Sequence, residues 1–214
     1  MQPDQAILDR NLAALARANP EAAQLIRSVS PRADIEFNEA RDGAITGVIG
    51  GAAPTPQPDP NAFDLGFGDL IQPDQPAATP RRSFASRTAP LREAERLAEQ
   101  IDPLEVAGAS VLGFGLGHHC AAIANKIGKM GVTICFEPDI ELLRAVFERI
   151  DHSTWIEKSN FVLLTDPDDV ALLRRALEGN ETVVALGVKI VSHPPSEARG
   201  GGLASRFSSK FVKI

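Results

Sequence analysis

The chain of 214 residues is long enough for one domain of ordinary size with appendages. Its net charge is −6, and 43% of its residues are hydrophobic but only 5% aromatic. The negative balance disfavours nucleic acid and anionic membranes as partners, and no apolar run approaches the roughly 20 residues that span a bilayer. Because the N-terminus also lacks signal-peptide features, we expect a cytoplasmic protein with a mainly aliphatic core.

The first residues predict two helices. Apolar residues at helical spacing indicate a first helix over 5–18. Asn19 then provides a predicted N-cap, with Pro20 in the first turn and Glu21 against the helix dipole. This second helix is expected to end near Val29.

A hairpin and a linker follow. Asp42-Gly43 lies between the alternating runs 33–37 and 44–49, which is a hairpin signal. Residues 51–82 contain seven prolines among Ala, Asp, Gln and Gly, and predict a disordered linker. Residues 1–50 are therefore a predicted helical and hairpin lead-in, and 83–214 a predicted α/β domain.

Strand and helix patterns alternate from residue 83 onward. After a helix over 90–98, the predicted pairs are strand 110–113 with helix 118–129, strand 132–137 with helix 139–149, and strand 161–164 with helix 168–177. A fourth strand is predicted near 183–186, with a continuation to 191, and the tail 193–202 is predicted as a loop. Such alternation indicates βαβ units, and hence a Rossmann-like, methyltransferase-like α/β fold with a mostly parallel sheet and flanking helices.

The cysteines do not indicate a disulfide or a metal centre. Cys120 and Cys135 lie in a helix start and a buried strand pattern, as small core residues of a reducing compartment do. No spacing of His, Cys or acidic residues matches a metal site.

A glycine-rich turn between the first predicted strand and helix is the main candidate for ligand binding. Gly113, Gly115 and Gly117 would let a ligand approach the backbone, and the N–H groups from Leu116 to His119 would meet a phosphate or carboxylate. The spacing is G-x-G-x-G and not the dinucleotide fingerprint G-x-G-x-x-G, which weakens an NAD interpretation. The turn also departs from the methyltransferase pattern, because Gly113 stands where that pattern has an acidic residue.

Carboxylates at strand ends are the second candidate feature. Glu137 ends the second strand, where a ribose-binding carboxylate belongs. Asp139 follows in the same loop, and Asp166 lies past the third strand, where an acid could contact adenine. Helix capping is the structural alternative, since both loops have a Pro-Asp pair before a helix.

Two adjacent histidines complete the turn. His118 and His119 diverge by about 100° on a helix and cannot share a metal as an i, i+4 pair would. We expect His119 to face the cleft, as a ligand contact or an acid–base group and the one candidate catalytic residue. His118 is expected to be a polar residue at the helix start that can also contact the ligand.

Several of these stretches together resemble the N-terminal region of the motility accessory factor (Maf) family of bacterial flagellin glycosyltransferases. They are residues 11–21 with the Asp42-Gly43 hairpin, the run Ser86–Arg96, the turn Gly113–His119, and the Glu-Pro-Asp motif of Phe136–Asp139. The resemblance implies a Rossmann-like N-terminal domain, a nucleotide-like ligand, nonulosonic acid sugars and flagellin as a partner.

The same resemblance implies that this chain is truncated relative to full-length members. They continue into a central domain with a Gly-Pro-Ser motif thought to hold the activated sugar, and this chain has no such motif. Catalysis would then depend on a downstream domain. The small predicted sheet is also compatible with self-association of the chain. The alternatives are an S-adenosylmethionine-dependent, methyltransferase-like protein, with Gly115, Gly117 and Glu137 holding the cofactor, and a non-catalytic Rossmann scaffold.

Overall fold

The computed structural model of the chain describes residues 2–50, 81–166, 168, 171, 174–175 and 178–200. Most of the predicted linker, most of the predicted helix 168–177 and the tail after residue 200 lie outside these residues. Of the helices among them, none combines the length and apolarity needed to cross a bilayer.

The lead-in has two helices and a hairpin, as predicted. The elements are α1 (Gln5–Ala16), α2 (Pro20–Ser28), β1 (Ile35–Glu39), β2 (Ile45–Ile49) and β3 (Arg82–Ser83). The three strands form an antiparallel sheet in the order β1-β2-β3, so the chain returns to the hairpin at residue 82.

A parallel sheet forms the centre of the molecule and confirms the predicted fold class. The elements are α3 (Pro90–Ala98), β4 (Gly108–Leu112), α4 (His118–Ile127), β5 (Val132–Phe136), α5 (Ile140–Phe147), α6 (Ser153–Lys158), β6 (Phe161–Leu164), α7 (Glu181–Ala185), β7 (Val188–Ser192) and α8 (Pro194–Gly200). The strand order is β6-β5-β4-β7, and all three pairings are parallel. The order reverses at β4, so the carboxyl ends of β4 and β7 border the point where open α/β sheets bind ligands.

Two predictions for the C-terminal part were wrong. Residues 181–185 form the helix α7, and the fourth strand lies later, at 188–192. A short apolar run fits a strand or a helix equally well, which explains the error. The predicted loop at 193–202 contains the helix α8, because prolines are tolerated in the first turn of a helix.

The strands β4, β5 and β6 are buried on both faces of the sheet. Side chains alternate between faces along a strand, and Val111 and Leu163 lie in the main core cluster with Leu12 and Ile26 of the lead-in helices. A second cluster, on alternate positions of the strands, contains Leu112, Val132, Ile134, Phe136, Val162 and Leu164. The lead-in thus shares a core with the sheet, while the division into three units stays a prediction.

Two asparagines attach the lead-in helices to the sheet. The buried Asn11 amide donates to the carbonyl oxygens of Phe147 and Ile150 at 3.0 and 2.7 Å, and its oxygen accepts from the His152 N–H at 2.7 Å. Asn19 occupies the N-cap position of α2 but makes no capping bond. Its side-chain oxygen instead accepts from the Leu163 N–H at 2.9 Å, so the predicted cap residue satisfies a backbone group of β6.

Candidate functional site

A cleft of about 430 Å³ lies at the carboxyl edge of the sheet. Its lining includes Gly113 of the glycine turn, and Glu137 and Asp139 from the loop after β5. Arg32 of the lead-in and Arg199 of α8 also line it. Three parts of the chain that are distant in sequence therefore meet where the topology predicts a ligand.

Glu137 is the buried centre of this site. Its side chain is 1% exposed, and its oxygen Oε2 accepts from the backbone N–H groups of Phe114 at 3.0 Å and Gly115 at 3.4 Å. The Asp139 N–H donates to Oε1 at 3.2 Å. Arg199 Nη2 lies 2.8 and 2.9 Å from the two carboxylate oxygens. Burial raises the pKa of Glu137, and the positive charge of Arg199 partly offsets that rise.

Protein side chains fill the space that the glycine turn leaves. A Cβ atom on Gly113 would lie 2.1 Å from the Cβ of Ser196, and one on Gly115 would lie 2.7 Å from the His193 ring. Both glycines also have positive φ angles, of 97° and 51°. At these positions α8 and the residue before it take the room that the sequence pattern assigns to a ligand.

The backbone donors of the turn are also largely engaged. The Gly117 N–H donates to the Phe114 carbonyl at 2.7 Å, and the side chain of Leu116 is buried in the core. Since the Phe114 and Gly115 N–H groups donate to the buried Glu137 carboxylate, the turn is held by a group of the protein itself. The predicted ligand contacts of Gly113, Gly115, Leu116 and Gly117 stay predictions.

The histidines lie beneath the turn. His118 Nε2 is 2.7 Å from the carbonyl oxygen of Ile45 in the hairpin, and burial lowers the pKa of His118. His119 is 3% exposed, and its Nε2 is 2.8 Å from the Gly113 carbonyl oxygen. Since a carbonyl only accepts, both rings donate from Nε2. The turn is thus fixed to the hairpin on one side and to α4 on the other.

His193, in the stretch predicted as a loop, contacts His119, Ser196 and the backbone of Phe84. Its ring stacks on that of His119 with centroids 4.0 Å apart and planes 10° apart. Its Nδ1 is 2.8 Å from the hydroxyl oxygen of Ser196. Burial, reinforced by the nearby charges of His119 and Arg199, lowers the pKa of His193 to about 2, so its ring is neutral.

Both cysteines are buried free thiols, and Cys120 lies next to His119. The sulfur atoms of Cys120 and Cys135 lie 3.8 Å apart, and Cys120 Sγ is 3.6 Å from His119 Nε2. Burial opposes ionisation of Cys120, but the contact with Cys135 and the charge of His119 lower its pKa to about 6. In turn, the Cys120 charge helps to raise the pKa of His119 against the opposite effect of burial. Within the described residues, no group of three or more His, Cys, Asp or Glu side chains could hold a metal ion.

Asp139 is a cap and an ion-pair partner at once. Its Oδ1 accepts from the Leu142 N–H at 2.9 Å, and its Oδ2 lies 2.6 Å from Arg32 Nη1. The Arg32 guanidinium also binds Asp34, with Nε 2.6 Å from Oδ1, which lowers the pKa of Asp34. This clamp joins the lead-in to the loop after β5 and forms one wall of the cleft.

Asp166 lies apart from the cleft. Its side chain is exposed, and its Oδ1 accepts from the Asp168 N–H at 2.8 Å, as in a short capping turn. The structure therefore brings Gly113, Glu137 and Asp139 to the cleft, and it places His118 and His119 beneath the turn.

The cleft residues that were not predicted from the sequence include Arg32, Ser196 and Arg199. Arg32 lies in an irregular segment before the hairpin and has no sequence signal. The other two lie on α8, where the Pro194-Pro195 pair followed by Glu197 could have indicated a helix start.

No protein-family model matches the chain. A comparison with curated proteins also gives no match. A solved structure of a MAf glycosyltransferase from Magnetospirillum magneticum AMB-1 is similar, with a TM-score of 0.52 and 12% sequence identity. The similarity covers 97% of this chain and 35% of that protein, so the chain spans about a third of its length.

This similarity concerns the fold. It includes nearly the whole chain, and therefore the lead-in as well as the parallel sheet. It agrees with the family resemblance of the glycine turn and the Glu-Pro-Asp motif. That resemblance rests on sequence motifs, whereas this similarity rests on the fold. The chain thus has the fold of a region of a Maf glycosyltransferase.

Proposed function

We propose that this chain is the N-terminal domain of a Maf-like glycosyltransferase, which acts in the cytoplasm and uses nucleotide-activated nonulosonic acids to glycosylate flagellin. The observation that supports this most is the fold similarity over 97% of the chain to a MAf glycosyltransferase. The transfer step is assigned to a domain outside this chain, and the cleft at Glu137 to binding of the nucleotide.

The charges of the cleft are consistent with such a ligand. Glu137 can accept hydrogen bonds from the hydroxyl groups of a ribose. Arg32 places a guanidinium group in the same cleft, and guanidinium is the side chain that best matches phosphate and carboxylate oxygens. A nucleotide-linked acidic sugar has hydroxyl, phosphate and carboxylate groups together.

A calorimetric binding panel tests the proposal. The 214-residue chain is titrated with CMP, a CMP-linked sialic-type sugar, a UDP-sugar, NAD and S-adenosylmethionine. Binding of CMP or its sugar would support the glycosyltransferase assignment. Selective binding of S-adenosylmethionine would replace it with the methyltransferase alternative, for which the same strand-end carboxylate is the favouring feature. If neither the wild-type chain nor the variants described below bind any of these compounds, a scaffold domain is favoured.

A further inference from the structure

The segment after β7 occupies the site that the sheet topology assigns to a ligand. Three of its residues take three positions of that site. Ser196 packs against Gly113, His193 packs against Gly115, and Arg199 pairs with Glu137. The two glycines and the carboxylate are the features that a nucleoside-binding turn needs.

We propose that α8 is an internal occupant of the nucleoside site, and that a nucleotide binds by displacing Arg199 from Glu137 and Ser196 from Gly113. The inference rests on the proposed function in taking a nucleotide as the ligand. It adds that the free chain is self-inhibited, with the guanidinium of Arg199 in the place of a ribose diol.

The hydrogen bonds of Glu137 favour this exchange. The N–H groups of Phe114, Gly115 and Asp139 can stay on the carboxylate when Arg199 leaves, because they belong to the turn and the β5–α5 loop. A ribose offers two hydroxyl donors, which replace the two contacts made by Arg199 Nη2. A ligand thus restores the same number of hydrogen bonds to the buried carboxylate.

Within the described part of the chain, α8 is held by few polar contacts. The helix has seven residues. Besides Glu137, polar contacts hold it through the Arg82 guanidinium, which donates to the Ala198 carbonyl at 2.6 Å, and through the His193 N–H, which donates to the Leu112 carbonyl at 3.1 Å. Arg199 also lies over the ring of Phe84, 5.3 Å from its centroid. The open cleft beside α8 gives a ligand a place from which to begin the displacement.

Affinity measurements on matched variants test the inference. If α8 competes with the ligand, the apparent dissociation constant equals the intrinsic one divided by the fraction of molecules in which α8 has left the site. Arg199→Ala should therefore bind the responding nucleotide at least about tenfold more tightly than the wild-type chain. Arg199→Lys, which keeps the charge but loses the guanidinium fork, should lie between them. Arg82→Ala loosens α8 without touching Glu137 and should also tighten binding.

Hydrogen exchange gives a second readout that needs no substitution. Saturating nucleotide should increase amide exchange across residues 196–200 of the wild-type chain, since Pro194 and Pro195 carry no amide hydrogen. Increased protection there, or an unchanged or weaker affinity of both the Arg199→Ala and Arg82→Ala chains, would overturn the inference.

The outcomes separate the two proposals. A wild-type chain that binds CMP-sugar as well as the variants do would retain the function and reject the internal occupant. If the variants bind only S-adenosylmethionine more tightly than the wild-type chain does, α8 remains the internal occupant of the site and the glycosyltransferase assignment is rejected. If neither the variants nor the wild-type chain bind any nucleotide of the panel, both proposals fail.

Discussion

Two strand ends with nearly the same sequence have opposite environments in this molecule. Glu137-Pro138-Asp139 follows β5, and Asp166-Pro167-Asp168 follows β6. Glu137 is buried, with four donor groups on its carboxylate, whereas Asp166 is exposed and, among the described residues, accepts from the Asp168 N–H. The difference arises from the neighbours, because the glycine turn and α8 meet the end of β5. A strand-end carboxylate therefore indicates a site only where the topology supplies partners for it.

The largest expected effect is the loss of the buried carboxylate. Glu137→Ala leaves Arg199 without its partner at 18% exposure, and leaves the Phe114 and Gly115 N–H groups without an acceptor. Because breaking a buried pair strands a charge, we expect the free energy of unfolding in urea to fall by about 3–5 kcal/mol.

Glu137→Gln is the matched control for this substitution. It keeps the shape and one acceptor oxygen, so a smaller loss of roughly 1–3 kcal/mol is expected. A Glu137→Ala chain as stable as the wild type would mean that the two strand ends do not differ.

The next effect tests how tightly α8 packs on the turn. In Gly113→Ala the new methyl group would overlap the Cβ of Ser196, at 2.1 Å, and the φ of 97° is unfavourable for alanine. Strain and overpacking together should cost about 2–4 kcal/mol in thermal or urea unfolding. Gly43→Ala is the control, since its φ is 80° but the nearest atom is 3.9 Å away, and about 1 kcal/mol is expected. Equal losses at the two positions would contradict the close contact with α8.

An acid titration tests the neutral histidines around the turn. Burial lowers the pKa of His152 to about 3, and the pKa of His193 to about 2. Below a pH of about 6.5 these two histidines bind protons in the unfolded chain but not in the folded chain. The free energy of unfolding therefore falls as the pH falls towards their folded pKa values. The slope is up to about 1.4 kcal/mol per pH unit for each ring. The raised pKa of His119 acts in the opposite direction.

His152→Gln isolates one of these contributions. Urea unfolding of the wild-type and variant chains between pH 7 and pH 4 should give slopes that differ by about one proton. Parallel slopes would show that His152 is protonated in the folded chain and that this part of the turn is open to water.

The smallest effect is expected at the exposed strand end. Asp166→Ala removes one exposed backbone contact and should change the melting temperature by less than about 2 °C. The same variant should leave nucleotide affinity unchanged. A weakened affinity would support the predicted ligand contact of Asp166 and remove the contrast with Glu137.

The sequence predicted the parallel sheet and the main carboxylate of the cleft, but not the last strand or the side chain that pairs with that carboxylate. Alternation of strands and helices predicted the parallel sheet, and the position of Glu137 after the second strand of that sheet predicted its place at the cleft. The last strand was misplaced because Val183–Leu186 has no periodicity that distinguishes a strand from a helix. The contact of Arg199 with Glu137 spans 62 residues, and no local pattern encodes a pair at that separation.

The asparagine bonds of the lead-in also impose an order of events during synthesis. Asn19 and its partner Leu163 are 144 residues apart, so at roughly 5–20 residues per second the ribosome delivers the acceptor on the order of ten seconds before its donor. Until β6 has emerged, the apolar stripe of α1, including Leu8, Leu12 and Leu15, can pack on α2 but not on the complete sheet. The core that the lead-in shares with the sheet is therefore completed late in synthesis.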